Sequence, residues 1–123
     1  MLAASALPRG PGHVKLPGAE RAVISEAKVR DYLLSESHPI GRFKAAFFRA
    51  LGYSAGAWPQ LERDLREQAR QGEAVPTEAT PYGQKYEISA TLVGPLGREA
   101  IVVSVWIVLR EEDFPRLVTV FPG

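Results

Sequence analysis

Near residue 82 the hydrophobic period of the chain changes, and that change limits what it can fold into. Before it, apolar residues recur at helical spacing: Trp58, Leu61, Leu65 and Ala69 share one helix face. After it they alternate. Tyr86, Ile88, Ala90 and Leu92 interleave with Glu87, Ser89, Thr91 and Val93, the pattern of a strand with one buried face. Gly94-Pro95-Leu96-Gly97 is a turn of the Pro-then-Gly kind, so the next strand, about Glu99 to Arg110, returns antiparallel. That strand is apolar at almost every position and is predicted to be central. The acidic loop Glu111, Glu112, Asp113 and Phe114-Pro115 precede a last strand, Arg116 to Phe121.

Three helices are predicted ahead of this meander. Ser25 is a fitting N-cap for a helix from Glu26 to Leu34 that buries Val29, Tyr32 and Leu33. Ser35, Ser37, His38 and Pro39 break it. A second helix runs from about Gly41 to Leu51, with Phe43, Phe47, Ala50 and Leu51 as its apolar stripe and Gly52 as its stop. The third spans roughly Trp58 to Gln71, with Pro59 in its first turn and Gly72 after it. Val14 to Pro17 reads as a short extended piece, and Glu73 to Pro81 as a polar connection. By layer rules this is an α+β domain: about three N-terminal helices packed on one face of a C-terminal antiparallel β-meander of three or more strands. Residues 1–13, rich in Pro and Gly and containing His13, are expected to be a flexible extension ahead of a single domain, 14–123.

Composition removes several chemistries. A chain of 123 residues with 46% hydrophobic and 24% charged content supports one core and is too apolar to be disordered throughout. Zero cysteines exclude disulfides, thiol catalysis and Cys-ligated metals, and two histidines exclude a multi-histidine metal site. No metal and no cofactor are expected. Dinucleotide, nucleoside-triphosphate and zinc-peptidase motifs are missing. No segment reads as a secretory signal or membrane span, so a cytoplasmic location is the expectation. With 15 basic and 14 acidic residues the net charge is +1, which gives no general attraction to polyanions.

Position tells more than the total. His38 to Gly52 contains His38, Arg42, Lys44 and Arg49 and no acid. At a helix N-terminus His38, Arg42 and Lys44 would add to the helix dipole and form an anion site able to hold phosphate oxygens. Histidine beside such cations suits metal-free RNA cleavage, with proton transfer at the 2′-OH and the leaving 5′ oxygen and cations on the phosphorane. The plainer alternative is a solvated helix face whose bases pair with Glu111, Glu112 and Asp113, with His38-Pro39 merely capping the helix. On the sheet, Trp106 with Lys85, Glu87 and Thr119 offers a platform for a stacked base; equally, Trp106 in an apolar strand is a core residue.

Val14-Lys15-Leu16-Pro17, His38-Pro39 with Gly41, Arg42, Lys44 and Phe47, Tyr82 to Tyr86, Trp106-Ile107 and Pro115 to Thr119 together resemble an uncharacterised bacterial domain family. Its members are stand-alone proteins and C-terminal modules of polymorphic toxins. The closing Pro-Arg-Leu-Val-Thr-x-Phe-Pro is its most specific part, with Phe121 where a tyrosine is expected. The helices-then-meander order is similar to the barnase, colicin and RelE group of ribonuclease toxins. The resemblance implies that His38, Lys44, Lys85, Arg116 and Thr119 match the family's polar motif residues. It also implies a small antitoxin or immunity protein as partner.

The sequence thus predicts a metal-independent ribonuclease-like toxin domain acting on RNA. His38, Lys44 and Arg116 are assigned to catalysis, and Arg42, Lys85, Trp106 and Thr119 to substrate binding. The alternatives are a non-catalytic protein-binding module and a small-molecule-binding domain.

Overall fold

A computed structural model describes residues 14–123; the extension 1–13, His13 included, lies outside the described residues. Five strands lie side by side in chain order, every neighbouring pair antiparallel: β1 (Val14–Lys15), β2 (Glu73–Ala79), β3 (Gly83–Val93), β4 (Glu99–Leu109) and β5 (Pro115–Pro122). Between β1 and β2 come α1 (Glu26–Lys28), continued by a π-helical turn at Val29–Leu33, then α2 (Arg42–Ala50) and α3 (Trp58–Gln71). The α+β order of helices ahead of an antiparallel sheet is as predicted.

The strand alternation becomes the core. Across the β3–β4 ladder Tyr86, Ile88, Ala90 and Leu92 stand opposite Trp106, Ser104, Val102 and Ala100. That face meets Leu33, Phe48, Leu61, Leu65 and Ala69 from the helix layer. Each buried leucine contributes roughly 1.5–3 kcal/mol. Trp106 is fully buried, and its indole N–H donates to Ser104 Oγ at 2.8 Å, satisfying the buried serine. Lys85, Glu87, Ser89 and Thr91 occupy the opposite face, away from the helices.

Three local readings change. In the stretch predicted as a connection, Glu73 to Pro81, residues Glu73–Ala79 form β2. Only Ala74 is buried in it, so it shows no alternation to read. β1 pairs with β2 only at Ala74 and Glu73, which leaves Pro76 beyond that ladder, where its missing N–H is tolerated. In α1 the Ser25 cap is present, its Oγ accepting from Lys28 N at 3.1 Å, but the helix widens into a π turn closed by Leu34 N to Val29 O at 2.9 Å. Val29 and Leu33 are buried as predicted, whereas Tyr32 is only half-buried.

The third change is in α2. Its buried residues are Ala45 and Phe48, followed by Leu51, and Phe43 is 70% exposed. Gly41 explains the choice: a Cβ there would stand 1.9 Å from Tyr32 O. Gly41, Ala45 and Phe48 lie at i, i+4 and i+7, so this face of small residues comes close to the turn before it.

Candidate functional site

The π turn of α1, the start of α2 and the edge strand β5 meet around Tyr32. Lys28, four residues earlier, places its Nζ 5.0 Å from the Tyr32 ring centroid, and Lys44 places its Nζ 5.2 Å from the same ring. The His38 ring stands edge-on to it, 4.9 Å away at 90°. Lys44 Nζ also donates to Thr119 Oγ1 at 2.5 Å. One phenol therefore has two ammonium groups, a hydroxyl and an imidazole around it. Burial pushes its pKa up, but hydrogen bonding by Lys44 and Thr119 and the charges of Lys44 and Lys28 outweigh that, and the net shift is downward.

His38 serves the backbone as well as the cluster. Its Nδ1 accepts from Ile40 N and Gly41 N, both at 3.0 Å, capping the entry to α2. A nitrogen accepting two N–H groups carries no proton, so the neutral ring holds its hydrogen on Nε2. The cap expected as the plain alternative is thus present, and it leaves Nε2–H as the ring's available donor.

The remaining sequence candidates lie apart from Tyr32. Arg42 Nη1 donates to Pro39 O at 2.7 Å, and its guanidinium lies 4.5 Å from the Phe43 ring centroid. Lys85 and Arg116 flank Ile107 across β3, β4 and β5 on the sheet face away from the helices. Each has an acidic partner: Lys85 lies 3.6 Å from Glu78, and Arg116 grips Glu112 with two bonds of 2.9 and 2.8 Å. The Arg116 guanidinium holds the Glu112 carboxyl below the usual range. Trp106, a candidate base platform, is sealed in the core and offers no face to a ligand.

The acidic loop does not neutralise α2. Glu112 takes Arg116, Asp113 takes Arg21 at 2.7 Å, and Arg49 of α2 pairs with Glu36 at 3.8 Å. Lys28, Arg42 and Lys44 have no ion pair among the described residues. Among the same residues, no group of three or more His, Asp or Glu could hold a metal ion. No helix among them is long and apolar enough to cross a membrane.

Of the sequence candidates, the fold brings His38, Lys44 and Thr119 together around Tyr32, a residue that the sequence pattern places in the core. The available signal was Lys28 four residues before Tyr32, one turn apart on a helix.

A family profile described as a domain of unknown function, DUF6883, matches residues 15–123. The chain belongs to this family. No curated protein sequence matches it. Among solved structures, this DUF6883 domain is similar to a chain of a contact-dependent growth inhibition toxin–immunity protein complex from Klebsiella pneumoniae 342. The TM-score is 0.64 at 20% identity, covering 85% of this chain and 96% of that one. At that identity the likeness concerns the fold.

Proposed function

We propose that this DUF6883 domain is a toxin that cleaves RNA without a metal, using the cluster around Tyr32. The observation that carries the reading is a phenol with a lowered pKa, held between Lys28 and Lys44 beside an imidazole N–H donor. The phenolate takes the 2′-OH proton, the 2′ oxygen bonds to phosphorus, and the P–O5′ bond breaks. Lys44 gives its proton to the leaving 5′ oxygen, leaving a 2′,3′-cyclic phosphate and a 5′-hydroxyl. Lys28 and His38 Nε2–H stabilise the charge on the phosphorane. Proton transfer from Tyr32 back to Lys44 resets the pair. His38 acts here as a hydrogen-bond donor, because taking a proton at Nδ1 would break the α2 cap.

The similar chain from a toxin–immunity protein complex supports a role in such a pair, with a small blocking protein as partner. The unneutralised cations Lys28, Arg42 and Lys44 favour the toxin over the immunity component. The test is incubation of the purified chain with RNA and a chelator. Cleavage should persist and leave cyclic phosphate ends. Tyr32→Phe and Lys44→Met should each lower the rate by about 10²–10⁴-fold, the range for positioned acid–base groups. A wild-type chain that leaves RNA intact under these conditions supports instead a non-catalytic binding module.

A further inference from the structure

Phe43 stands in the first turn of α2 with 70% of its surface exposed, and Ile40, three residues before it, is 62% exposed. The sequence pattern assigns Phe43 to the helix's buried stripe, yet Ala45 and Phe48 fill that role. The ring is not adrift in solvent. The Arg42 guanidinium lies 4.5 Å from its centroid and is itself tied to Pro39 O at 2.7 Å, so cation and ring form one ordered unit. The next residue, Lys44, reaches the Tyr32–Thr119 cluster. Consecutive helical residues are separated by 1.5 Å of rise and about 100° of turn, so this aromatic stands on the side of α2 next to the one that carries Lys44.

We infer that Phe43, backed by Arg42, is a stacking platform for an unpaired base of single-stranded RNA whose neighbouring phosphate lies at Lys44. The inference rests on the ribonuclease reading and names its substrate class. An aromatic face beside cations is what binds single strands: bases of any identity stack, and the cations follow the backbone. Arg42, Lys44 and Lys28 have no ion pair among the described residues, so the local charge suits a polyanion. The exposed apolar surface at this spot is Ile40 and Phe43, small for a protein interface core. A base within a duplex is already stacked on both faces, hence the demand for an unpaired strand. This platform takes the place assigned to Trp106, whose ring is buried.

The experiment measures binding of the full chain to a 2′-O-methyl RNA oligonucleotide, which cannot be cleaved because its 2′ oxygen has no proton. The oligonucleotide is offered single-stranded and as its duplex, alongside cleavage of ordinary RNA. Wild type should prefer the single strand. Phe43→Ala and Phe43→Leu should both weaken that binding by about 5- to 150-fold, the equivalent of one stacked base. Phe43→Trp should restore it, with indole fluorescence quenched by the oligonucleotide. Unchanged affinity in Phe43→Ala overturns the platform, even where RNA is still cut. Phe43-dependent binding without cleavage upholds the platform and removes the ribonuclease reading. Failure of wild type to bind either form overturns the inference and leaves this face to a protein partner.

Discussion

Lys44 of α2 donates to Thr119 of β5 across 75 residues of chain, at 2.5 Å. The bond ties the helix layer to the edge strand and holds an ammonium group against Tyr32 that would otherwise extend into water. Thr119→Val keeps the shape and removes the acceptor. It should lower stability by about 1 kcal/mol and reduce RNA cleavage, while Thr119→Ser should preserve both. Urea denaturation beside single-turnover cleavage checks this. Full activity in the valine variant would separate Lys44 positioning from Thr119.

Gly41 sets the spacing between the Tyr32 turn and α2, since an added Cβ would lie 1.9 Å from Tyr32 O and 2.7 Å from its carbon. Both are backbone atoms and cannot rotate away. Gly41→Ala should therefore push α2 off α1, lower stability by roughly 1–3 kcal/mol as in overpacked sites, and reduce cleavage beyond the loss of folded protein. Melting temperature and rate per folded molecule are the measurements. A stable variant with unaltered rate removes Gly41 from the site's construction.

Legibility followed burial. Trp58, Leu61, Leu65 and Ala69, and the alternation from Tyr86 to Leu92, were readable because each presents one face to a single core. β2 was not, because a strand exposed at every position but Ala74 leaves no hydrophobic period. In α2 two overlapping stripes fit helical spacing, and the contact of Gly41 with Tyr32 chose between them; such a contact is invisible along the chain. Local charge singled out His38 and Lys44 as candidates, and the closing motif singled out Thr119. Tyr32 escaped because an ordinary helix from Glu26 to Leu34 buries it with Val29 and Leu33. The π turn is the departure, and such turns are frequent at functional sites.

Two tyrosines should shape the alkaline limb of stability in opposite directions. Tyr53 is buried and donates to Asp64 at 2.5 Å; burial first and the carboxylate second push its pKa well above the ordinary value. The unfolded chain releases this proton near pH 10 while the folded protein keeps it, so its contribution is full below that pH and declines as pH rises. Tyr32 has a lowered folded pKa. Its contribution is present above the ordinary tyrosine value and is lost as pH falls through the folded one. Urea midpoints between about pH 9 and 11 should accordingly fall less steeply in Tyr53→Phe and more steeply in Tyr32→Phe. Parallel curves for both variants and wild type would show that neither phenol titrates as described.

Trp106 offers a control on the whole assignment, because it is a candidate from sequence that the fold places in the core. Its indole N–H is the partner of Ser104 Oγ at 2.8 Å, and both residues are fully buried. Trp106→Phe leaves the serine without that donor and opens a gap where the larger ring lay. The unsatisfied group alone costs roughly 1–3 kcal/mol, and the lost contacts add to it. Ser104→Ala in the same chain should recover part of the loss, since both ends of the bond are then apolar. At matched folded fraction, however, RNA binding and cleavage by Trp106→Phe should equal wild type, whereas Phe43→Ala should lose binding with little change in stability. If the two variants behave the other way round, the ligand enters beneath the helices, and the site is not the surface cluster around Tyr32.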